Sequence, residues 1–447
     1  MRIRHGWIVT LIFTLILTSC SSNLVTNGDN PNSADAVDQI KLRVLHNWVG
    51  QDGKSIAMRQ ILDEFRASHP NVILEDEGLV TEGMKTRLRA LAAADEMPDL
   101  FVMWPDAMAK DFVKGDLIQP IDDFLNSKPE WRDNFISQAF TDFTVDDHIY
   151  TVPMNLAPTS LIYYNQALFD QYDVKVPTTW DELLQAIEVF NKNQIIPIAL
   201  GAKSDWLIQS TIFSTLTDRI LGTEWLTRAL NQEGATFLDP QFIEVLQFLR
   251  DFARGGAFQN NALRIDDNQM MELYFQGNAA MFINGGWATS NIVKNAPEDI
   301  LNHTHVTILP PIEGGKGKAN STSGVVGTGM GLSKKLTGAR KDAALELLYA
   351  LSGPEGQKAT LDSSTLVSYK IDLDPDKAHP LFIELNELMQ HIEITPVFDI
   401  KLSTAATEVL NIGLADILIG VRPYDIASKL QAAQAQAKSL ENNDTNY

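Results

Sequence analysis

The chain has few of the residues that build covalent or metal-bound frameworks. It contains one cysteine, Cys20, in 447 residues, so no disulfide can form within it and no multi-cysteine metal site is available. Its eight histidines are scattered, and the pair His303 and His305 has no third histidine or cysteine nearby. We therefore expect neither a metal site nor a cofactor.

Motifs that would identify a common enzyme class are also absent. The sequence has no Gly-x-Ser-x-Gly elbow, no Walker phosphate-binding loop and no His-Glu-x-x-His. Adjacent carboxylates such as Asp122/Asp123 and Asp146/Asp147 are ordinary in an acidic chain. Glycoside hydrolysis requires two carboxyl groups that face each other across a cleft, and sequence alone does not determine that geometry. A secreted carbohydrate-active enzyme therefore stays open as an alternative to a binding protein.

Positive charge is scarce. The 36 basic residues are outnumbered by 57 acidic ones, which gives a formal charge of −21. Such a surface repels the phosphates of nucleic acids and anionic membranes at long range. We expect neutral or cationic small partners and no nucleic acid.

The longest apolar run at the N-terminus is short. Residues 7–17 follow Arg2 and Arg4, and about a dozen residues cannot span a bilayer, which takes roughly 20. This pattern predicts an export signal over residues 1–19. Its end, Leu-Thr-Ser-Cys, resembles the bacterial lipobox, so we expect lipidation of Cys20 and a flexible, polar tether over 20–39. The protein is then exported and lipid-anchored to the cell membrane, facing the outside or the periplasm.

From residue 40 the hydrophobic pattern alternates between strands and helices. Strands are predicted at 41–45, 72–74 and 99–103, with helices at 55–68 and 84–94 between them. The alternation restarts with a helix at 181–191, for which Thr179 is a candidate cap, and continues through strands at 197–200 and 279–283. Two α/β units follow, each with a mostly parallel sheet flanked by helices. The Gly/Ser/Thr-rich stretch 314–331 is interpreted as a loop.

Four tryptophans stand beside Gly, Asn or Asp in predicted loops: Trp48, Trp104, Trp206 and Trp287. An indole can stack on the apolar C–H face of a pyranose while neighbouring polar groups bind its hydroxyls. The alternative is that each tryptophan only anchors its loop to a core, since tryptophan is usually largely buried.

Six segments in order resemble the extracellular solute-binding family 1 proteins of ATP-driven sugar importers, the maltose-binding-protein-like group. They cover nearly the whole chain after residue 40. The segments are Trp48 with Gly50 and HPNV (69–72), MPDLFVMW (97–104), GDLIQPI (115–121), YTVP with YYN and PTTWDEL (150–183), GNAAMFINGGW (277–287) and GPEGQ (353–357).

The resemblance implies a periplasmic-binding-protein-like fold of two lobes joined by hinge crossings. Lobe 1 is expected to comprise 40–153 and 304–362, and lobe 2 to comprise 154–303 and 363–440. The three crossings are expected near 153–158, 302–304 and 363–371. It also implies that lobe closure captures an oligosaccharide, which is delivered to the membrane permease of an ABC-type importer, and that the protein is a monomer.

The resemblance further implies a set of ligand-binding residues. Trp287, from the Gly-Trp motif, is expected against the sugar, and Trp206 and Asp106 match further contact positions. Glu77, Trp48, Trp104 and Phe398 match by position. A polyol or glycerol phosphate ester is the alternative ligand class, because exposed N–H groups of the glycine-rich loop 324–331 could bind a phosphate.

Overall fold

The computed structural model describes residues 39–136 and 138–444. Cys20, the predicted signal peptide and residues 20–38 of the predicted tether lie outside these residues. The strands that the structure describes are β1 (Ile40–His46), β2 (Val72–Gly78), β3 (Leu100–Met103), β4 (Thr144–Val145), β5 (His148–Ile149), β6 (Ala157–Pro158), β7 (Leu161–Asn165), β8 (Ile196–Ala199), β9 (Ala279–Asn284), β10 (Thr304–Ile308), β11 (Ser321–Val325), β12 (Gly329–Leu332) and β13 (Glu393–Thr395).

Helices cover the faces of the sheets. In chain order they are α1 (Gly53–Ser68), α2 (Thr81–Ala93), α3 (Ala107–Lys114), α4 (Asp122–Asn126), α5 (Pro129–Arg132), α6 (Gln166–Gln171), α7 (Trp180–Lys192), α8 (Trp206–Ile208), α9 (Ser214–Leu221), α10 (Thr223–Asn231), α11 (Pro240–Arg254), α12 (Asp267–Phe275), α13 (Ala288–Asn295), α14 (Glu298–Leu301), α15 (Gly338–Ser352), α16 (Pro354–Asp362), α17 (Pro380–Met389), α18 (Phe398–Lys401), α19 (Thr404–Leu418) and α20 (Pro423–Asp444). A π-helical turn, Gln209–Phe213, joins α8 to α9, and 3₁₀ turns lie at Thr141–Phe143 and Ala262–Arg264.

Two four-stranded sheets define two lobes, as the sequence predicts. The first has the order β12-β3-β1-β2, with β1 parallel to both β2 and β3. The second has the order β10-β7-β9-β8, in which only β8 and β9 run parallel. The prediction of a mostly parallel sheet is therefore correct for the first lobe and wrong for the second. Hydrophobic periodicity identifies strands but not their direction. The chain arrives at β7 directly from the first lobe, without a preceding helix of the second lobe, so the parallel strand–helix–strand connection does not apply to it.

Each lobe has its own apolar core. The first core is built on Leu42, Val44 and Leu100, and the second on Leu161, Phe282 and Leu246, all of them at most 1% exposed. The predicted end of lobe 2 at residue 303 is corrected by β10, which pairs with β7 in the second sheet. The following segment passes to the first lobe only after Leu309, which packs in the second core, and before Met330, which packs in the first.

A buried arginine holds this second crossing to the second lobe. Arg219, 2% exposed, donates to the carbonyl oxygens of Leu309 (3.0 Å) and Ser321 (2.6 Å). Burial lowers the pKa of its guanidinium, and these carbonyls supply the acceptors that a buried cation requires. The crossing therefore begins in β11, some twenty residues later than the sequence predicted.

The glycine-rich stretch is not a simple loop. It contains β11 and β12, and β12 forms the edge of the first sheet antiparallel to β3. A Cβ on Gly331 would lie 2.7 Å from the ring of Phe101, and one on Gly329 would lie 2.4 Å from Thr151. Glycine is present here because neighbouring side chains lie directly over the strand. The sequence alone does not show this packing, so the glycines of this strand resemble those of a loop.

A local capping signal predicted the start of one helix of the second lobe, α7. The Thr179 hydroxyl accepts from the N–H of Glu182 (3.2 Å), and the Glu182 carboxylate accepts in return from the N–H of Thr179 (3.2 Å). This capping box starts α7 at Trp180, whose indole packs against Phe248 and Phe252 in the second core. Trp180 is thus a structural residue, as the sequence predicted.

Candidate functional site

A cleft with a volume of about 260 Å³ lies between the two lobes. All four tryptophans that the sequence singled out line it, two from each lobe. Trp48 and Trp104 follow strands β1 and β3 of the first sheet, and Trp206 and Trp287 follow β8 and β9 of the second. These strand ends face the same cleft, which brings together residues far apart in the chain.

Trp206 and Trp287 form a tilted pair on the second lobe. Their ring centroids are 5.9 Å apart with an interplanar angle of 59°, and both side chains are half-buried. The Trp287 indole folds back over Gly285, where an added Cβ would come within 2.1 Å of the ring. The Tyr163 hydroxyl, hydrogen-bonded to the Gly285 carbonyl (3.1 Å) and to Thr289 (2.9 Å), fixes this turn from beneath.

On the first lobe, Trp104 carries a cation on its ring. The ammonium of Lys85 lies 4.9 Å from the Trp104 centroid, and both residues line the cleft. The indole face attracts the ammonium and holds it at the cleft wall. Trp104 therefore positions a charged donor in the cleft as well as contributing apolar surface.

Trp48 is placed more deeply than the other three. It is 2% exposed, packs in the first core and stacks on His46 with centroids 4.9 Å apart. Nδ1 of His46 accepts a hydrogen bond from the backbone N–H of Trp48 (3.2 Å), while Nε2 of His46 lies 3.3 Å from the Asp76 carboxylate. Trp48 thus combines the anchoring role considered for it in the sequence with a place at the cleft wall.

The charged groups of the cleft have shifted acid–base properties. Burial raises the pKa of Asp267 and of Asp399, and burial lowers the pKa of Lys54 to about 8. Lys54 donates to Oδ1 of Asn155 (2.9 Å) in the first crossing. Together with Asp52 and Lys85 these residues make the lining a mixture of three acids and two bases, so the cleft has no strong excess of either sign.

Three residues predicted to bind ligand lie outside the cleft lining. Asp106, 5% exposed, forms ion pairs with Lys110 of its own lobe and Lys401 of the other. Glu77 is exposed and pairs with Arg87 at 3.5 Å. Phe398 is buried in the second core against Phe213. Family position placed these residues near the cleft, but which way each side chain points depends on its tertiary neighbours.

Several polar residues of the cleft were not predicted. Many of them begin a helix whose first turn faces the cleft: Asp52 and Lys54 at α1, Thr81 at α2, Asp267 and Asn268 at α12, Asn291 in α13 and Asp399 in α18. The sequence carried a signal for Asp52, which caps α1, and for Asp267, which directly follows the α12 cap Asp266. Capping and ligand contact use the same residue types, so the pattern alone does not separate the two.

The lobes contact each other at both rims of the cleft. At one rim the backbone N–H of Lys54, in the first lobe, donates to the Ser290 hydroxyl of the second lobe (2.9 Å). At the other, Lys401 of the second lobe pairs with Asp106 and with Asp142 (3.0 Å) of the first. Residues of the two lobes thus contact each other directly beside the cleft.

The residues that the structure describes hold neither a metal-binding cluster of three side chains nor a membrane-spanning helix. Over 39–136 and 138–444, no group of three His, Cys, Asp or Glu side chains is arranged to hold a metal ion. His305 instead lies 3.0 Å from the Glu384 carboxylate. In the same ranges no helix has both the length and the apolar character needed to cross a bilayer.

Two α/β lobes that close on a cleft lined by indoles and polar helix starts define a two-lobed ligand-binding protein. The sequence profile of the bacterial extracellular solute-binding protein family matches residues 51–358, and the chain belongs to this family.

Similar proteins are found both by sequence and by structure. A curated relative, an uncharacterized ABC transporter extracellular-binding protein of Pyrococcus horikoshii, is 23% identical over 283 residues. The match covers 62% of this chain and spans 62% of that relative's length. A solved chitin oligosaccharide binding protein superposes with a TM-score of 0.83 at 25% identity, covering 90% of this chain and all of its own. A structure from work on xylan utilization by Caldanaerobius polysaccharolyticus gives 0.80 at 27% identity, covering 88% and 99%.

Proposed function

We propose that the protein is the extracytoplasmic binding component of an ABC-type importer and that it captures a neutral oligosaccharide in the cleft. The observation that carries this proposal is the tilted Trp206–Trp287 pair, set 5.9 Å apart beside Asp267 and Asn268. Two inclined indoles offer apolar faces to sugar rings, and carboxylate and amide groups next to them bind hydroxyls. A neighbour named as a chitin oligosaccharide binding protein, and another from work on xylan utilization, support the same ligand class.

Capture proceeds by closure of the lobes. A ligand that contacts Trp287 on one lobe and Trp104 on the other favours the closed form, whereas a ligand bound to one lobe alone would not shift the equilibrium. The closed form presents both lobes in one fixed arrangement that a membrane permease recognises. The protein acts as a monomer and releases the sugar unaltered.

A screen by thermal shift identifies the ligand. Wild-type protein is heated with chitotriose, xylotriose, maltotriose or stachyose, and a sugar present at 100 times its dissociation constant adds about 2.7 kcal/mol of stability. At least one sugar of this panel, or a homologue of different length, is expected to raise the midpoint. No response to any neutral oligosaccharide would contradict the proposal.

Replacement of Trp287 tests the indole pair. Trp287→Ala is expected to cost about 2–4 kcal/mol of binding, because hot-spot aromatics lose this much on truncation. Affinity for the sugar identified by the screen is measured by titration calorimetry. Trp180→Phe, which alters an indole of the second core, is the matched control and should leave affinity unchanged. Equal effects of the two variants would argue against a sugar-stacking role.

The alternative of an enzyme makes a different prediction. Incubation of the protein with the same labelled oligosaccharide returns the sugar intact if the cleft only binds. Shorter fragments appearing in proportion to protein and time would instead favour a carbohydrate-active enzyme.

We also infer that the protein is exported and held at the membrane through Cys20. The lipobox-like Leu17-Thr18-Ser19-Cys20 supports this inference. Cells that express the chain and are fed labelled palmitate should incorporate label into the wild type but not into Cys20→Ala, which should be released from the membrane fraction.

A further inference from the structure

A second depression, the α1 groove, lies on the first lobe outside the cleft. It has a volume of about 710 Å³, and its walls come from α1, the turn between α4 and α5, α15 and α16. Among the described residues, those that line the groove and those that line the cleft are different sets. The first turn of α1 faces the cleft and the rest of α1 lines the groove. The α1 groove is therefore a separate candidate site.

Two aromatic rings of the groove converge on one cation. The ammonium of Lys128 lies 4.3 Å from the ring centroid of Tyr349 and 5.4 Å from that of Phe124. Trp131, which is fully buried, packs edge-on against both rings, with centroids 5.2 Å and 6.0 Å away. Because one buried indole holds both rings, the faces of Tyr349 and Phe124 form a fixed position for an ammonium group.

The rim of the groove has an excess of negative charge. Glu64 on α1, Glu346 on α15 and Glu355 on α16 line it, and all three are exposed. Lys128 and His69 are the groove's basic side chains, and His69 lies 3.3 Å from the Glu346 carboxylate. Since the whole chain carries a formal charge of −21, its field adds to the attraction of this rim for cations.

The ring faces of the groove are not free to stack on a sugar. The imidazole of His69 covers the ring of Phe65, with centroids 3.9 Å apart and an interplanar angle of 12°. The ammonium of Lys128 lies over Tyr349 and Phe124. An ammonium from a ligand needs the contacts that Lys128 already makes, whereas a pyranose needs an uncovered ring. The groove therefore favours a cation over a second carbohydrate.

We propose that the α1 groove binds a linear aliphatic polyamine, one ammonium of which takes the place of Lys128 over Tyr349 and Phe124. This function is additional to sugar capture in the cleft and does not depend on it. Lys128 is half-buried on a flexible four-carbon stem, which lets its ammonium move out into solvent.

The rest of the polyamine matches the rest of the groove. Its methylene segments pack on the apolar floor, which includes Ala57, Ala350 and Ala359. Its remaining ammonium groups reach Glu64 and Glu355 at the rim. A polyamine thus combines the apolar stem and the separated positive charges that this floor and rim accept.

Spermidine is the probe, and calorimetry with the full chain measures its affinity without any sugar present. At an ionic strength of about 0.15 M, attraction to distant surface charges is largely screened, so one saturable site per chain is expected. Tyr349→Leu should weaken this binding about 3- to 10-fold. Glu355→Gln should weaken it about 2- to 5-fold, and Glu408→Gln, at an exposed position of α19, is its matched control with unchanged affinity.

Replacement of Lys128 gives the sharpest test. Lys128→Met removes the ammonium that competes for the two rings, so spermidine should bind about 3- to 10-fold more tightly. Lys429→Met makes the same change of net charge at an exposed position of α20 and should have no effect. A damaged fold cannot produce tighter binding, so this result separates recognition from stability. Equal or weaker binding by Lys128→Met would overturn the proposal.

Two further outcomes would also overturn it. Weaker spermidine binding by Asp267→Asn, with Glu355→Gln unaffected, would place the polyamine in the cleft. A tetralysine peptide that binds while spermidine does not would make the groove a docking site for a basic protein segment. Because no step uses the sugar, a chain that binds no oligosaccharide in the thermal-shift screen leaves the spermidine result intact.

Discussion

At the scale of single residues, protonation state decides how the cleft wall is held. Nδ1 of His46 accepts a hydrogen bond from the backbone N–H of Trp48, which is possible only while Nδ1 is unprotonated. Its other nitrogen faces Asp76, and burial lowers the pKa of His46 despite this carboxylate. A neutral His46 is thus part of the support of Trp48.

Acid should weaken this support. Because the folded-state pKa of His46 lies below 6.5, the unfolded chain binds the proton more readily. The contribution of His46 to stability is complete above pH 6.5 and is lost as the pH falls toward the folded-state pKa. Urea unfolding of wild type and His46→Gln between pH 7.5 and 5 should show a shallower decline for the variant. Parallel profiles would mean that His46 does not titrate in this window.

At the scale of elements, the turn between β9 and α13 places the most important indole. Gly285 leaves the space that the Trp287 ring occupies, and Gly286 lies against Pro158, whose Cγ would be 3.0 Å from an added Cβ. The sequence Gly-Gly-Trp is therefore a packing requirement in which the glycines allow the indole to lie flat on its own turn.

A methyl group at Gly285 should displace the indole. The clash in Gly285→Ala involves the far end of the Trp287 side chain, so the ring moves and the fold survives. We expect sugar binding to weaken by about 1–3 kcal/mol, because the displaced indole loses part of the contribution that an anchor aromatic makes to binding. Gly83→Ala in α2, where the nearest atom is 3.6 Å away, is the control. Calorimetry that gave equal affinities for the two variants would contradict this account.

At the scale of the whole molecule, an ionic contact across the cleft stabilises closure. Lys401 of the second lobe is 28% exposed and faces Asp106 and Asp142 of the first. Burial lowers the pKa of Lys401, but Asp142 and Asp106 outweigh it and the net shift is upward. Asp106, held at a φ of 56°, keeps its carboxylate in this contact instead of in the cleft.

Removal of this contact should favour the open form. Lys401→Met is expected to weaken sugar binding by about 1–3 kcal/mol through the closure equilibrium, with cleft residues unchanged. Lys110→Met removes a second cation from the same Asp106, but from within the first lobe, and should have a smaller effect. Scattering of the ligand-free proteins would reveal a more open Lys401 variant. Identical scattering of the two variants would exclude the contact as a determinant of closure.

Local signals in the sequence were sufficient for much of the fold. Apolar periodicity placed α1, α2 and α7 within a few residues, and Thr179 was identified as a cap. The four tryptophans that line the cleft were also singled out, because an indole beside Gly, Asn or Asp is visible in the chain itself. The strands β11 and β12 were missed, since their glycines are required by neighbours such as Phe101 that lie far away in sequence.

The sequence by itself determined most of the elements, the two cores and the tryptophans that line the cleft, because these depend on neighbours along the chain. Only the tertiary structure decided which side chains face the cleft. It directed Asp106 to Lys401 and Phe398 to the second core. Orientation depends on contacts between lobes, and those contacts join residues almost three hundred positions apart, as in the pair of Lys401 and Asp106.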